Sequence, residues 1–335
     1  MQDSKHRFPY EWKLSDGFPA KGIESHKSKV FSCFACGGGS SMGYKLAGYD
    51  CLGGVELDPN IAAAYLANLH PQIFYTQDIR EFNERTDLPE VLYNLDVLDG
   101  SPPCSTFSMA GSREKAWGKR KQFAEGQKLQ PKVHLLENVS GLVKGNGKAY
   151  SKEIISKLSE AGYRTQLFLL NAATMGVPQM RERVFFIGLR KDFDLPRLVL
   201  DFKEPAVLGK EICDYLGPEI TGEKTRMLWE NRVKGDHSQK YANMRLFGVN
   251  ANFGQSYLYE DKVSPTLTTK GDSVIHFEKP HMLSDSEKKR ISSFPQDYET
   301  PTKDIGWLCG MSVPPIMTAQ ISYQIWKQWL SRING

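Results

Sequence analysis

Cys104 lies in Gly100-Ser101-Pro102-Pro103-Cys104-Ser105-Thr106-Phe107-Ser108, directly after the apolar run Leu95-Asp96-Val97-Leu98. Two prolines supply no N–H to a ladder and fix their own φ, so the run reads as a buried strand that stops abruptly, with a thiol just past its end. Ligands of open α/β sheets bind in the crevice beyond the carboxyl ends of the strands, where a thiolate nucleophile is useful. On its own the cysteine is equally well read as a buried structural thiol. A second run, Val133-His134-Leu135-Leu136-Glu137-Asn138, delivers a carboxylate at an equivalent strand end, and that tips the balance. Arg181 and Arg183 follow in Gln179-Met180-Arg181-Glu182-Arg183; two arginines spaced by two on an emerging strand point the same way and can grip a phosphate or a carbonyl oxygen.

The elements that position these groups form a strand-helix alternation. Lys29 to Phe34 is a strand, followed by the glycine cluster Gly37-Gly38-Gly39 and a helix start, a turn that lets backbone approach a ligand closely. Cys51 to Glu56 is a second strand ending in an acid, and Asp58-Pro59 caps the next helix. An acid 17 positions after Gly39 sits where a Rossmann-like fold holds ribose hydroxyls, which fits NAD, FAD or S-adenosylmethionine. The turn is not a clean G-x-G-x-x-G and there is no Walker tract, which favours the phosphate-free adenosyl ligand. The third strand is Gln72 to Tyr75, and Asp78 beyond it either accepts from an adenine amino group or caps the helix that follows. Ile154, Ile155 and Leu158 mark an amphipathic helix ending at Gly162, and strands follow at Leu167–Leu170 and Val184–Leu189. The connection 171–183 has no room for a crossover helix, so those two strands pair antiparallel and Arg181 and Arg183 face the cleft of Cys104 and Glu137.

With 335 residues, 40% hydrophobic and 24% charged, the chain suits one large domain or a large and a small one. No stretch reaches the roughly 20 apolar residues of a membrane span, and the start lacks the apolar core of a signal peptide, so a soluble, cytoplasmic protein with free thiols at its six cysteines is expected. A net charge of +4 permits a nucleic-acid partner without requiring one. Residues 1–27 read as a loose arm anchored by Phe8, Tyr10 or Trp12, 28–190 as the catalytic and cofactor-binding domain, 191–283 as a smaller irregular or β-rich domain with interleaved basic and aromatic residues, and 284–335 as a segment packing back on the first domain. The loop 105–122, with Arg113, Lys115, Lys119, Arg120 and Lys121, reads either as a lid that contacts an anion or as an ordinary solvated loop.

In this order the motifs resemble the DNA (cytosine-5) methyltransferases of bacterial or phage type: Phe34 to Gly39, Gly100 to Ser108, Glu137-Asn138-Val139, Gln179 to Arg183, Ser264 to Thr268, Phe294-Pro295 and Ser312 to Pro315, over roughly residues 28–330. The resemblance implies a Rossmann-like methyltransferase fold, mostly parallel with an antiparallel last strand, and makes 191–283 the target-recognition domain. It implies methyl transfer from S-adenosyl-L-methionine to C5 of cytosine in double-stranded DNA. Cys104 is then the thiolate that attacks C6 of a flipped-out base, Glu137 the acid at the N3 edge, and Arg181 or Arg183 the group that holds O2. Phe34, Gly37, Gly39, Glu56, Asp78, Pro103 and Ser312 are carried over as cofactor-binding residues, and Ser108 and Arg113 as DNA contacts. No metal is implied. A monomer is expected, with a cognate restriction endonuclease acting separately. The chain departs from the family pattern at Cys36, Ser105 and Met311. After the lid, only Phe123 to Gln130 remains before the next strand, against the roughly 10–12 residues of a crossover. That shortness keeps an inactive DNA-binding remnant among the readings, beside a transfer-RNA cytosine-5 methyltransferase of the same fold. Cys33-Phe34-Ala35-Cys36 as a redox dithiol sits at the end of a strand rather than opening a helix, and an NAD dehydrogenase leaves Pro102-Pro103-Cys104 unexplained.

Overall fold

The strand β1, Lys29–Cys33, is buried along its whole length past Lys29, and so are β2 (Asp50–Glu56) and β4 (Val97–Gly100) except at the outer ends of β2. Runs buried on both faces are what a parallel sheet covered by helices requires. The computed structural model describes residues 6–102, 129–144, 147–250, 254–270, 272–302 and 304–335. Its main sheet has seven strands in the order β3-β2-β1-β4-β5-β7-β6, with β3 at Ile73–Thr76, β5 at Val133–Val139, β6 at Tyr163–Asn171 and β7 at Glu182–Arg190. β1 to β5 pair in parallel; β7 runs antiparallel to both β5 and β6. The expected antiparallel pairing of the last two strands holds, and it brings the start of β7 to the carboxyl end of β5.

Helices α1 (Gly39–Leu46), α2 (Pro59–Leu69), α3 (Ile79–Glu84) and α4 (Gly147–Glu160) alternate with the strands. Asp58 caps α2, its Oδ1 accepting from Asn60 N–H at 2.8 Å, with Pro59 in the first turn as the sequence implies. α4 buries Ile154 and Leu158 against Tyr163, Val184 and Phe186 of the sheet. The C-terminal helices α7 (Asp285–Ile291), α8 (Ile305–Met311) and α9 (Pro315–Ile325) return to the sheet, and α9 packs on α1. The approach is close at Gly43, where a Cβ would lie 2.3 Å from the Pro315 carbonyl oxygen and 2.9 Å from Ala319 N.

One expectation changes and another narrows. The arm is tied down from residue 6 onward: Phe8 and Trp12 are buried, and the Trp12 indole donates to the Ser293 carbonyl at 2.9 Å. Among the described residues of 191–283 are two α-helices, α5 (Glu223–Glu230) and α6 (Gln239–Phe247), and the three-residue strands β8 (Ser256–Leu258) and β9 (Val274–His276), so of the two expected characters the region has the irregular one. Leu198, Val207, Ile212, Leu258, Leu267, Val274 and Leu283 share the main core, while Ile220, Trp229, Tyr257, Tyr259 and Ile275 form a small cluster of their own. The shortened crossover expected between Cys104 and Glu137 falls almost wholly outside the described residues; β4 and β5 are parallel neighbours, and Leu129, just before β5, is buried against the cluster around Phe31 and Leu98.

Candidate active site

β5 and β7 pair with Val139 opposite Arg183 and Glu137 opposite Phe185. Directly opposed residues share a sheet face and side chains two apart do too, so Glu137 and Arg183 are diagonal neighbours on one face. The Arg183 Nε lies 2.9 Å from Glu137 Oε1, with the two side chains 15% and 10% exposed. A cleft of about 330 Å³ opens there, lined by Ser140, Asn171, Met180, Glu182, Arg183 and Thr266. Asn138, next to Glu137 on β5, donates from Nδ2 to the Pro102 carbonyl at 3.1 Å and so holds the backbone that precedes Cys104 in the chain. Thus the chain entry to the thiol, the carboxylate and one guanidinium meet at the same sheet edge.

Arg181 is used otherwise. It is 1% exposed, and its guanidinium donates to the carbonyls of Leu267 (3.0 Å), Gly310 (2.8 Å) and Ser312 (3.0 Å). The expectation that both arginines face the cleft gives way to a division of labour: Arg183 meets Glu137, while Arg181 binds the 267 segment and the 310–312 turn to the start of β7. Five donors in a rigid fork are what such a three-carbonyl junction needs. Gln179, fully buried, completes the junction through its amide to the Ile291 carbonyl at 3.3 Å, and Met180 N–H donates to the Ser264 carbonyl at 2.9 Å.

The glycine turn is built for close approach. Phe34 and Cys36 have φ of 58° and 47°, and a Cβ on Gly39 would sit 2.3 Å from the Val313 carbonyl oxygen. Glu56 closes the turn: Oε2 accepts from Cys36 N–H at 2.9 Å and Oε1 from Asp58 N–H at 3.0 Å. Each carboxylate oxygen keeps a lone pair. Tyr298 donates to the Gly37 carbonyl at 2.6 Å, and Ser312 Oγ is 3.6 Å from Cys36 Sγ. Burial pushes the Cys36 thiol up to about 11, the opposite of the lowered value that marks a reactive dithiol.

Residues 28–327 match the family model for C-5 cytosine-specific DNA methylases. The chain belongs to that family. Type II methyltransferase M1.HphI of Haemophilus parahaemolyticus is 30% identical over 323 residues, spanning 88% of this chain and 85% of that protein. Type II methyltransferase M.AplI of Arthrospira platensis is 32% identical over 313 residues, again 88% and 85%. A solved prophage-encoded protein of E. coli superposes with a TM-score of 0.70 at 20% identity, covering 92% of this chain and all of that one, a likeness of fold. The reading that chose DNA cytosine-5 methylation over a dehydrogenase or a redox protein is borne out.

Within this methylase, Glu137 and Arg183 are brought together, and Phe34, Gly37, Gly39, Glu56 and Ser312 are gathered around one turn. Asp78 stands apart. It caps α3, with Oδ1 accepting from Arg80 N–H and Nε and Oδ2 from the same guanidinium at 2.6 Å. Pro103, Cys104, Ser108 and Arg113 lie outside the described residues. Sequence reasoning assigned no role to Asn138, Tyr298 or Asp99. Asp99, on β4 opposite Ser32 of β1, is 2% exposed, and its Oδ1 has no partner among the described residues. Burial pushes it up to about 7, with the charge of Glu137 adding to the effect and the hydroxyls of Ser32, Ser40 and Tyr44 opposing it. An acid inside an apolar run was the available signal.

Proposed function

We propose that this methylase takes its methyl group from S-adenosyl-L-methionine and delivers it to cytosine in double-stranded DNA through a covalent bond from Cys104 to C6 of an extruded base. The turn at Phe34 to Gly39 suits the cofactor. Glu56 holds it through the Cys36 N–H while retaining acceptor capacity for ribose hydroxyls, and the glycines let the turn pack where a Cβ would lie 2.9 Å from the Tyr298 hydroxyl, 2.4 Å from Leu69 and 2.3 Å from the Val313 carbonyl oxygen. The cofactor supplies an electrophilic methyl at a sulfonium centre. The chain supplies the rest. Cytosine C5 is a poor nucleophile until a thiolate adds to C6, and Glu137, held by Arg183, protonates or hydrogen-bonds the N3 edge to take up the charge that this addition creates. Loss of the C5 proton and return of the C6 bond electrons to sulfur then release the thiol.

Arg183 orients Glu137 and presents its remaining donors to the base O2, whereas Arg181 orders the pocket from behind. Ser108 and Arg113 contact phosphate, Pro103, Asp78 and Ser312 complete the cofactor site, and residues 191–283 carry target recognition. The enzyme acts as a monomer in the cytoplasm of a bacterial or phage-infected cell, with a separate cognate endonuclease. The observation that carries the reading is the Glu137–Arg183 pair at the edge where Asn138 holds the approach to Cys104. The test is methyl transfer from labelled S-adenosylmethionine to double-stranded DNA and, in parallel, to transfer RNA. Labelled DNA cytosine, lost in Cys104→Ala, supports it; labelling of RNA alone, or cofactor binding without transfer to either, overturns it.

A further inference from the structure

Far from the methyl-transfer edge, three segments bring a thiol, an imidazole and a carboxylate together. Cys213 follows the turn at 209–211, His276 ends β9 and Glu287 lies in the first turn of α7; the three ligand atoms lie within 4.8 Å of one another. His276 and Glu287 are fully buried, and Cys213 is half-buried. Both carboxylate oxygens of Glu287 approach His276 Nε2 at 3.1 Å, while Nδ1 faces Cys213 Sγ at 3.6 Å. Glu287 also accepts backbone N–H bonds from Asp214 (2.7 Å), Tyr215 (3.1 Å) and Ser284 (2.7 Å), so its position is fixed from three sides.

We propose that Cys213 Sγ and His276 Nδ1 are the two protein ligands of a divalent transition-metal site of the zinc class, with Glu287 orienting the imidazole. The distances carry this. Zinc bonds of about 2.3 Å to sulfur and about 2.0–2.1 Å to nitrogen, at a tetrahedral angle, separate the two donor atoms by about 3.6 Å. A carboxylate on the far nitrogen of a ligating histidine sets the tautomer that leaves the near lone pair free, and here that partner is built in. Two neighbouring cations are engaged elsewhere. Lys279 Nζ sits 4.0 Å from the centre of the Tyr215 ring, and Arg290 is paired with Asp214. Water would complete the tetrahedron at the two positions that the protein leaves open. The ion would bind the 213–215 segment to β9, adding a fixed point between the irregular region and α7, and its binding would release the thiol proton to solvent.

The experiment is titration of the metal-stripped full-length protein with cobalt(II), read by absorbance. One equivalent giving tetrahedral ligand-field bands with a thiolate-to-cobalt charge-transfer band, displaced by zinc, is expected. Cys213→Ser should lose the charge-transfer band while its circular dichroism is unchanged, and Cys36→Ala should keep it. His276→Asn should weaken binding at least tenfold, and zinc should raise the melting temperature of the parent but not of Cys213→Ser. Absence of stoichiometric binding by the folded parent, or a Cys213→Ser protein with the same spectrum, overturns the site.

Discussion

Replacing Glu137 by Gln separates the chemistry of this residue from its packing. The side chain is 10% exposed and meets Arg183 Nε at 2.9 Å. A carboxamide keeps an acceptor oxygen for that donor, so the contact falls from an ion pair to a charge-to-neutral hydrogen bond, a difference on the order of 1 kcal/mol. In a chain of 335 residues that moves the melting temperature by about 2–4 °C at most. The amide cannot deliver a proton to the cytosine N3 edge. A positioned acid contributes roughly 10²–10⁴-fold to rate, and at 1.36 kcal/mol per decade that is about 2.7–5.4 kcal/mol of transition-state stabilisation. Single-turnover methyl transfer at saturating DNA and cofactor should therefore slow by that factor, with DNA affinity and melting temperature close to the parent's. A Glu137→Gln enzyme that transfers methyl at the parental rate would refute the role, and so would one that fails only because it no longer folds or binds DNA.

Gly39→Ala puts a Cβ 2.3 Å from the Val313 carbonyl oxygen, so the 312–313 turn must move; a loss of about 1–3 kcal/mol and weaker calorimetric binding of S-adenosylmethionine are expected. Gly141→Ala, with nothing within 4 Å, serves as the silent control. Arg181→Met leaves the carbonyls of Leu267, Gly310 and Ser312 without their donor; at about 1–3 kcal/mol for a buried unsatisfied group, melting should show a loss of several kcal/mol even in the absence of DNA. Asp99 is held near 7 in the folded protein against an ordinary 3.8. Between those values the unfolded chain has given up the proton that the folded state keeps, so this residue makes stability fall as pH rises through the window, and at about 1.4 kcal/mol per pH unit the effect is capped at about 4 kcal/mol. Asp99→Asn should thus gain on the parent more at pH 8 than at pH 4 in urea melts, and equal differences at the two pH values would show that the proton is not there.

The fold was legible where burial on both faces forces a pattern. β1, β2 and β4 are apolar runs closed by Gly, Glu or Pro, and their ends put the chemistry at one edge. The short 171–183 connection was enough to orient β7, because no crossover helix fits in it. The two arginines were not separable by sequence: spacing of two implies one face on a regular strand, but β7 begins at Glu182, so Arg181 lies outside the ladder and turns to the 267 and 310–312 carbonyls. The interior of 191–283 was illegible for a different reason. Its side chains are divided between the main core and a small local cluster, and no single period governs them. The Cys213–His276–Glu287 cluster spans 74 positions of chain, and nothing in the spacing marks it.

The most direct test of the account is covalent trapping on double-stranded DNA whose cytosines all carry fluorine at C5, which makes knowledge of the target sequence unnecessary. Fluorine cannot leave as a proton does, so once methyl has been transferred the bond from sulfur to C6 persists. Peptide mass spectrometry should find a cofactor-dependent adduct at Cys104 and none with Cys104→Ser. An adduct at another cysteine, or methyl transfer to ordinary DNA with no trapped complex, would contradict Cys104 as the nucleophile.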